Sequence, residues 1–320
     1  MLRPSLALLL MSAPALAQVP QVVADVPINH SLAAIVMGDL GTPELLLDRG
    51  ADAHDFQLRP SQARAVAAAD LVIWTGEAMS PWMHEAVESL AAGQVLELAK
   101  VEGLVEQPFA ERLQFAAPEA EGGHDHDHGH DHDHGHDHGH DHDHSHEGTD
   151  PHLWMNTANA ALWLAAIAAE LGEIDPANAE TYLSNATNGA GQIALLGAEL
   201  ATILQPAQGA GLVMHHDAYG YLATQFGLTI LGTIAAGDAA DPGAAGLADL
   251  RAALQQAGAV CIFPEVNHSD AYVRVVAEGT DLRIGAPLDP EGVMVEPGPA
   301  HYATTMRQMA QAIADCVQGS

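Results

Sequence analysis

The chain is 320 residues long, 48% hydrophobic but only 4% aromatic, and carries a formal charge of −32 at pH 7. So strong a negative field repels nucleic acid and anionic membrane surfaces, which excludes both as partners, and it attracts cations. At the start, MLRPSLALLLMSAPALA has the three parts of a secretory signal: Arg3, an apolar run over residues 6–11, and the small-residue pattern Ala15-Leu16-Ala17. Cleavage after Ala17 leaves a mature chain beginning at Gln18. That run is shorter than the roughly 18–20 apolar residues a membrane span requires, and no later stretch reaches them. With no cysteine beside the cleavage site to take a lipid, the expectation is an exported, soluble, periplasmic protein.

The first half alternates short apolar runs with helical patterns. Residues 22–28 (VVADVPI) read as a strand, 31–40 as a helix, 44–47 (ELLL) as a strand and 61–69 as a helix opened by Pro60-Ser61. Residues 71–75 (LVIWT) read as a buried strand, 81–90 as a helix and 95–98 as a strand. The order β-α-β-α implies a mostly parallel sheet with helices on its faces. Residues 156–204 are rich in Ala and Leu and helical in period, broken only near 172–176. The part after the break has no proline and is placed to join two lobes rigidly. Alternation then resumes, with strands at 212–216, 229–233, 259–263 and 282–284 and helices at 220–226, 244–257, 270–278 and 300–317. The fold class expected is therefore α/β in two lobes. The divisions are a signal peptide at 1–17, an N-terminal lobe at 18–176, a linking helix at 177–205 and a C-terminal lobe at 206–320.

One segment inside the first lobe cannot form a core. HDHDHGHDHDHGHDHGHDHDHSH places His124, His126, His128, His130, His132, His134, His136, His138, His140, His142, His144 and His146 at alternate positions, with acids between many of them. It has no apolar residue whose burial would offset the entropy of ordering it, so it is expected to form a disordered loop over about residues 119–149. Neutral imidazole is the commonest protein ligand for zinc, and interleaved carboxylates lower the cost of bringing in a dication. Residues 119–150 hold eleven acids and no Lys or Arg. With neutral histidines this stretch carries −11, and with all twelve protonated about +1, so acidification should empty it of metal.

Eight histidines lie outside the loop: 30, 54, 84, 152, 215, 216, 268 and 301. Three stand at junctions beside turn residues. His54 follows the ELLL strand in GADAHDFQLRPS, His152 lies in DPHLWMN where the loop ends, and His216 lies in MHHDAYGY at the end of a strand. Ligands of open parallel sheets bind outside the carboxyl ends of the strands, which suits His54 and His216. Neighbours on a strand point to opposite faces, so one of His215 and His216 reaches a given site; the pattern does not choose between them. His30, His84, His268 and His301 read as solvent-facing or helix-terminal, and Trp74, Trp82 and Trp154 as core. The two cysteines, Cys261 in AVCIF and Cys316 in the last helix, read as a disulfide in an oxidising compartment. Thiolate ligation of zinc is their other use, and no other ligand lies near either in sequence.

Several motifs in order, AHDFQLRPSQ, ADLVIWTGEAMSPWM, DPHLWMN, HDAYGY, CIFPE and LDPEG, resemble those of the ZnuA-type periplasmic zinc-binding proteins of zinc ABC importers. The resemblance covers nearly the whole mature chain. It implies zinc held between two lobes by His54, His152 and His216, a mobile His-rich loop before the second ligand, and pairing of Cys261 with Cys316. Some relatives carry a glutamate before the first histidine; here that position is Ala53. Related binders use an aspartate of the LDP motif, here Asp289, as fourth ligand; a turn aspartate before Pro290 is the alternative, with water completing the tetrahedron.

The resemblance further implies an inner-membrane ABC permease as partner, other periplasmic zinc chaperones as exchange partners, and a monomer. Three imidazoles and at most one carboxylate suit tetrahedral Zn²⁺, whereas Mn²⁺, Mg²⁺ and Ca²⁺ prefer more oxygen. Cu²⁺ and Ni²⁺ would bind such a set in vitro. Two other functions use the same residues. A zinc enzyme would recruit Asp217 or Glu265 as general base, but no HExxH spacing is present. A zinc store would make the loop the main device. The expected function is zinc capture and delivery without catalysis, with the loop as a weaker antenna.

Overall fold

The computed structural model describes residues 19–109, 113–114, 148–235 and 244–319. The signal-peptide reading and all twelve loop histidines lie outside the described residues. Strand β1 (Val22–Ala24) leads into α1 (Pro27–Met37), followed by β2 (Glu44–Leu45), α2 (Pro60–Ala68), β3 (Leu71–Trp74), α3 (His84–Ser89) and β4 (Gln94–Glu97). These strands form an all-parallel sheet in the order β2-β1-β3-β4. All four residues of β3 are buried, as expected of a central strand covered on both faces.

The expected strand at 22–28 is cut short at Ala24 because Pro27 opens α1, where its fixed φ and missing N–H suit the first helical position. Asp25 makes the turn. Its buried carboxylate accepts from the Val26 and Thr75 amides, from Asn29 Nδ2 and from Ser80 Oγ, at 2.7–3.1 Å, tying the ends of β1 and β3 together.

The second sheet is also parallel, in the order β5-β7-β6-β8-β9, where β5 is Leu113–Gln114. Before its remaining strands come two long helices, α4 (Thr157–Ile174) and α5 (Ala179–Leu204). Then follow β6 (Gly211–Met214), α6 (Gly220–Phe226), β7 (Thr229–Thr233), α7 (Ala244–Ala257), β8 (Ala259–Ile262), α8 (Ala271–Ala277), β9 (Arg283–Ile284) and α9 (His301–Gln318). The division at residue 176 assigns 113–114 to the first lobe, yet β5 pairs with β7 at the edge of the second sheet. A two-residue strand carries no periodic signal of its own.

Helix α5 spans 26 residues, about 39 Å at the usual rise. It packs on α4, α9, α1 and α6. One apolar core runs through these helices into both sheets, joining Ile28, Leu164, Leu200, Phe263 and Tyr302. Smaller clusters cover the outer faces, around Val72 in the first sheet and Ile262 in the second. A large shared core resists relative motion of two lobes, in contrast to a hinge of bare loops. Cys261 and Cys316 are disulfide-bonded, fastening α9 to β8. Closing a loop of 55 residues contributes up to about 4 kcal/mol. Among the described residues no helix is long and apolar enough to cross a membrane.

Candidate metal centre

Four side chains from four separate segments converge on one point. His54 comes from the loop between β2 and α2, His152 from the turn before α4, His216 from the loop after β6, and Glu291 from the segment between β9 and α9. Each offers a ligand atom, and these atoms all lie within 4.8 Å of one another. The imidazole centroids form a near-equilateral triangle: 5.4 Å from His54 to His152, 6.0 Å from His54 to His216 and 5.4 Å from His152 to His216. Tetrahedral zinc with bonds of about 2.0–2.1 Å needs donors about 3.4 Å apart, so closing on an ion takes side-chain shifts of about 1 Å.

Each histidine is held differently. The His152 ring donates through Nδ1 to Asp150 Oδ1 at 2.8 Å, and the same oxygen takes the His152 backbone amide at 3.0 Å. Asp150 is itself fixed, its carbonyl accepting from Tyr221 Oη at 3.1 Å. His216 Nδ1 meets Glu265 Oε2 at 2.7 Å, while Tyr219 Oη donates to Glu265 Oε1 at 2.8 Å. Carboxylates behind the imidazoles fix ring orientation and tautomer, raise ligand basicity and turn Nε2 toward the centre. His54 is anchored through its backbone, whose amide donates to Asp52 Oδ1 at 2.8 Å; the preceding carbonyl, of Ala53, accepts from Trp82 Nε1 at 2.8 Å.

Glu291 is the member that sequence reasoning missed. The LDPEG motif pointed to Asp289, but both Asp289 oxygens are engaged by backbone: Oδ1 accepts from Val293 N at 2.8 Å and Oδ2 from Met294 N at 2.9 Å. Asp289 thus shapes the turn, and Glu291, two residues on, reaches the histidines, with Oε1 3.7 Å from His152 Nε2. Both of those atoms are buried with no hydrogen-bond partner. Buried polar atoms left so are rare and costly, and a cation between them would satisfy both. The signal available was a second acid across Pro290. Gly292 adopts φ +71°, and a Cβ there would lie 2.4 Å from His301 Cε1, so only glycine lets the chain turn directly after Glu291.

Burial pushes the Glu291 carboxyl up to about 7, against the pull of His216 and His152, with Glu265 and Asp289 adding to the rise. Burial also pushes Glu265 upward, but the His216 charge and hydrogen bond, with His215 and Tyr219, outweigh it and hold the group at about 2. Glu265 therefore remains ionised behind His216 across the physiological range. In metal-free protein a raised Glu291 stabilises the fold fully below the unfolded value near 4.5, and this is lost as pH rises through about 7. Glu291→Gln stays neutral throughout. The metal-free variant is expected to gain up to about 3 kcal/mol on wild type between pH 4.5 and pH 8, read from denaturant unfolding at each pH. A pH-independent difference would contradict this.

The other histidines divide. His215 is not among the four that converge; it stacks on His268, centroids 4.5 Å apart. His84 is half-buried between Glu77 and Glu88. His30 and His301, expected at the surface or at helix ends, are buried at 5% and 1% exposure, bonded to the carbonyls of Pro43 and Gly292. His301 does begin α9; its burial follows from the return of that helix across α1 and α5.

The sequence profile described as "Zinc-uptake complex component A periplasmic", ZnuA, matches residues 22–316. The chain belongs to the ZnuA family. A "High-affinity zinc uptake system protein ZnuA" from Paracoccus denitrificans is 46% identical over 310 residues, 95% of this chain and 94% of that protein. One of the same name from Brucella abortus is 34% identical, over 92% of this chain and 91% of that protein. Among solved structures, "Crystal structure of ZnuA" aligns with TM-score 0.73 at 19% identity, covering 93% of this chain and 99% of the other. A cadmium-bound periplasmic metal binding protein from Candidatus Liberibacter asiaticus aligns at 0.71 and 19%, with the same coverage. The last two share the fold, two parallel-sheet lobes with flanking helices.

Proposed function

We propose that this protein captures Zn²⁺ in the periplasm and delivers it to an inner-membrane ABC permease, acting as a monomer. The observation that carries this reading is the convergence of His54, His152, His216 and Glu291 at one point, two of the imidazoles backed by carboxylates. Three neutral imidazoles and one carboxylate are a zinc donor set; Mn²⁺, Mg²⁺ and Ca²⁺ prefer more oxygen. Cu²⁺ and Ni²⁺ fit the donors as well, so selectivity in the cell rests partly on metal availability, and exchange with other periplasmic zinc chaperones would serve that end.

Of the acids that a catalytic reading would recruit, Glu265 is held at about 2 and its oxygens are engaged by His216 and Tyr219, which suits a group that orients His216 rather than a general base. Glu291, at about 7, stands in this reading as a metal donor beside the three imidazoles. His54 is the most accessible of the three histidines, only partly buried, while His152 and His216 are buried at 0% and 5% exposure.

The His-rich segment serves in this reading as a weaker, fast-exchanging antenna. Tethered ligands hold their cargo at millimolar-scale effective concentration beside the centre. Deleting residues 119–147 is expected to leave one tight zinc equivalent and remove several weak ones in calorimetric titration. Loss of the tight equivalent with the segment would overturn the assignment to the centre. A set of many similar sites, with none far tighter than the rest, would instead indicate a store.

A further inference from the structure

A second group of metal-ligating side chains lies beside the first and shares none of its four donors. His215, Glu265 and His268 each present a ligand atom, and these atoms lie within 4.8 Å of one another. The arrangement follows from the chain path. His215 and His216 follow one another just after β6, and His215 joins the second group while His216 joins the first. Glu265 follows β8, the strand next to β6, and His268 lies three residues further along. The His215 and His268 rings stack, with centroids 4.5 Å apart and 25° between their planes. His268 Nε2 lies 3.9 Å from Glu265 Oε2, the oxygen that also meets His216 Nδ1 at 2.7 Å.

We propose that His215, Glu265 and His268 form a second site for a divalent transition-metal ion, weaker than the first and joined to it through the Glu265 carboxylate. Two imidazoles and one carboxylate, with water in the open position, are a known zinc donor set. A carboxylate oxygen has more than one acceptor direction, so Glu265 can keep its bond to His216 while meeting an ion on its other side. The first two donors are buried, at 7% and 3% exposure, whereas the His268 side chain is 29% exposed and opens the site to solvent. The His216 and His268 rings are only 6.4 Å apart, so two dications would repel each other and the second would bind more weakly and leave faster. Such a site would be more accessible and more labile than the buried centre beside it. The proposal does not depend on the first site's metal being zinc.

The test is residue-resolved labelling of histidines with diethyl pyrocarbonate across a Zn²⁺ titration of the full-length protein. The expected result is that His268 labelling is unchanged by the first equivalent and falls at least fivefold at higher zinc. In His215→Phe the first equivalent should bind as in wild type, while the later protection of His268 is lost. Labelling of His268 that ignores zinc, or equal protection in His215→Phe, would overturn the proposal; the latter would mean another segment merely covers the ring. Should His215→Phe fail to fold, zinc-edge anomalous scattering from wild-type crystals grown with excess zinc decides. A second peak about 2.1 Å from ring nitrogens of both His215 and His268 supports the site, and its absence refutes it.

Discussion

Replacing His216 by alanine is expected to weaken the tight zinc equivalent by roughly 100-fold or more. Zinc in four-donor protein sites is held by about 10–16 kcal/mol, so one donor's even share is about 3 kcal/mol, or two powers of ten. His216 has a second effect that His54 lacks. Its ring keeps Glu265 ionised in a buried setting, and without it that carboxylate retains only the Tyr219 hydroxyl among the two side chains that grip it. A buried charge stripped of its partner costs a few kcal/mol, so metal-free His216→Ala should also unfold more easily. His54→Ala is expected to lose comparable zinc affinity at little cost in metal-free stability, because its ring is only partly buried and its loop is pinned through backbone. Chelator competition measures the first quantity and denaturant unfolding of metal-free protein the second. If both variants held zinc within threefold of wild type, these histidines would not be the ligands.

Trp154→Ala is expected to destabilise the protein by about 3–5 kcal/mol, the usual cost of emptying a large aromatic from a core. Trp154 is fully buried two residues after His152, and its Nε1 donates to the Pro290 carbonyl at 3.1 Å. Its own carbonyl accepts from Tyr302 Oη at 2.9 Å. It therefore braces the turn that carries Glu291 against the segment that carries His152. Trp154→Phe keeps most of the apolar contact but strands the Pro290 carbonyl, at about 1–3 kcal/mol. Both variants should release zinc faster than wild type, because Glu291 loses its brace. Guanidinium unfolding and stopped-flow zinc release measure the two effects. An unchanged release rate in Trp154→Ala would mean that the turn is held by other means.

Which parts of this were legible beforehand can be argued residue by residue. The alternation of short apolar runs with helical periods suffices for two parallel-sheet lobes, because buried parallel strands such as LVIW and GLVM are apolar on both faces. The break near residue 175 and the long proline-free helix after it are likewise local signals, and the helix observed, Ala179–Leu204, lies within the expected 177–205. The junctions after the second strand and after β6 stood out in the sequence because parallel sheets direct their functional loops to one end, and the structure brings His54 and His216 from them to one point with His152. The choice between His215 and His216 was not readable. Both follow the same strand and both lie near Glu265; only the folded chain shows that His216 joins His54, His152 and Glu291 while His215 stacks on His268. Glu291 was hidden for a similar reason: Asp289 and Glu291 share one motif, and only the folded turn shows Asp289 engaged by two amides.

Composition and local order thus sufficed for class, lobes, the metal-attracting character of the chain and the segments from which donors come. Short-range forces set these: hydrophobic period, proline and glycine geometry, and the chemistry of imidazole. Which donor of each pair faces inward, which acid completes the set, and the burial of His30 and His301 were decided by contacts between residues far apart in the chain. Those depend on how α9 returns across α1 and α5, a long-range packing outcome that no local window encodes.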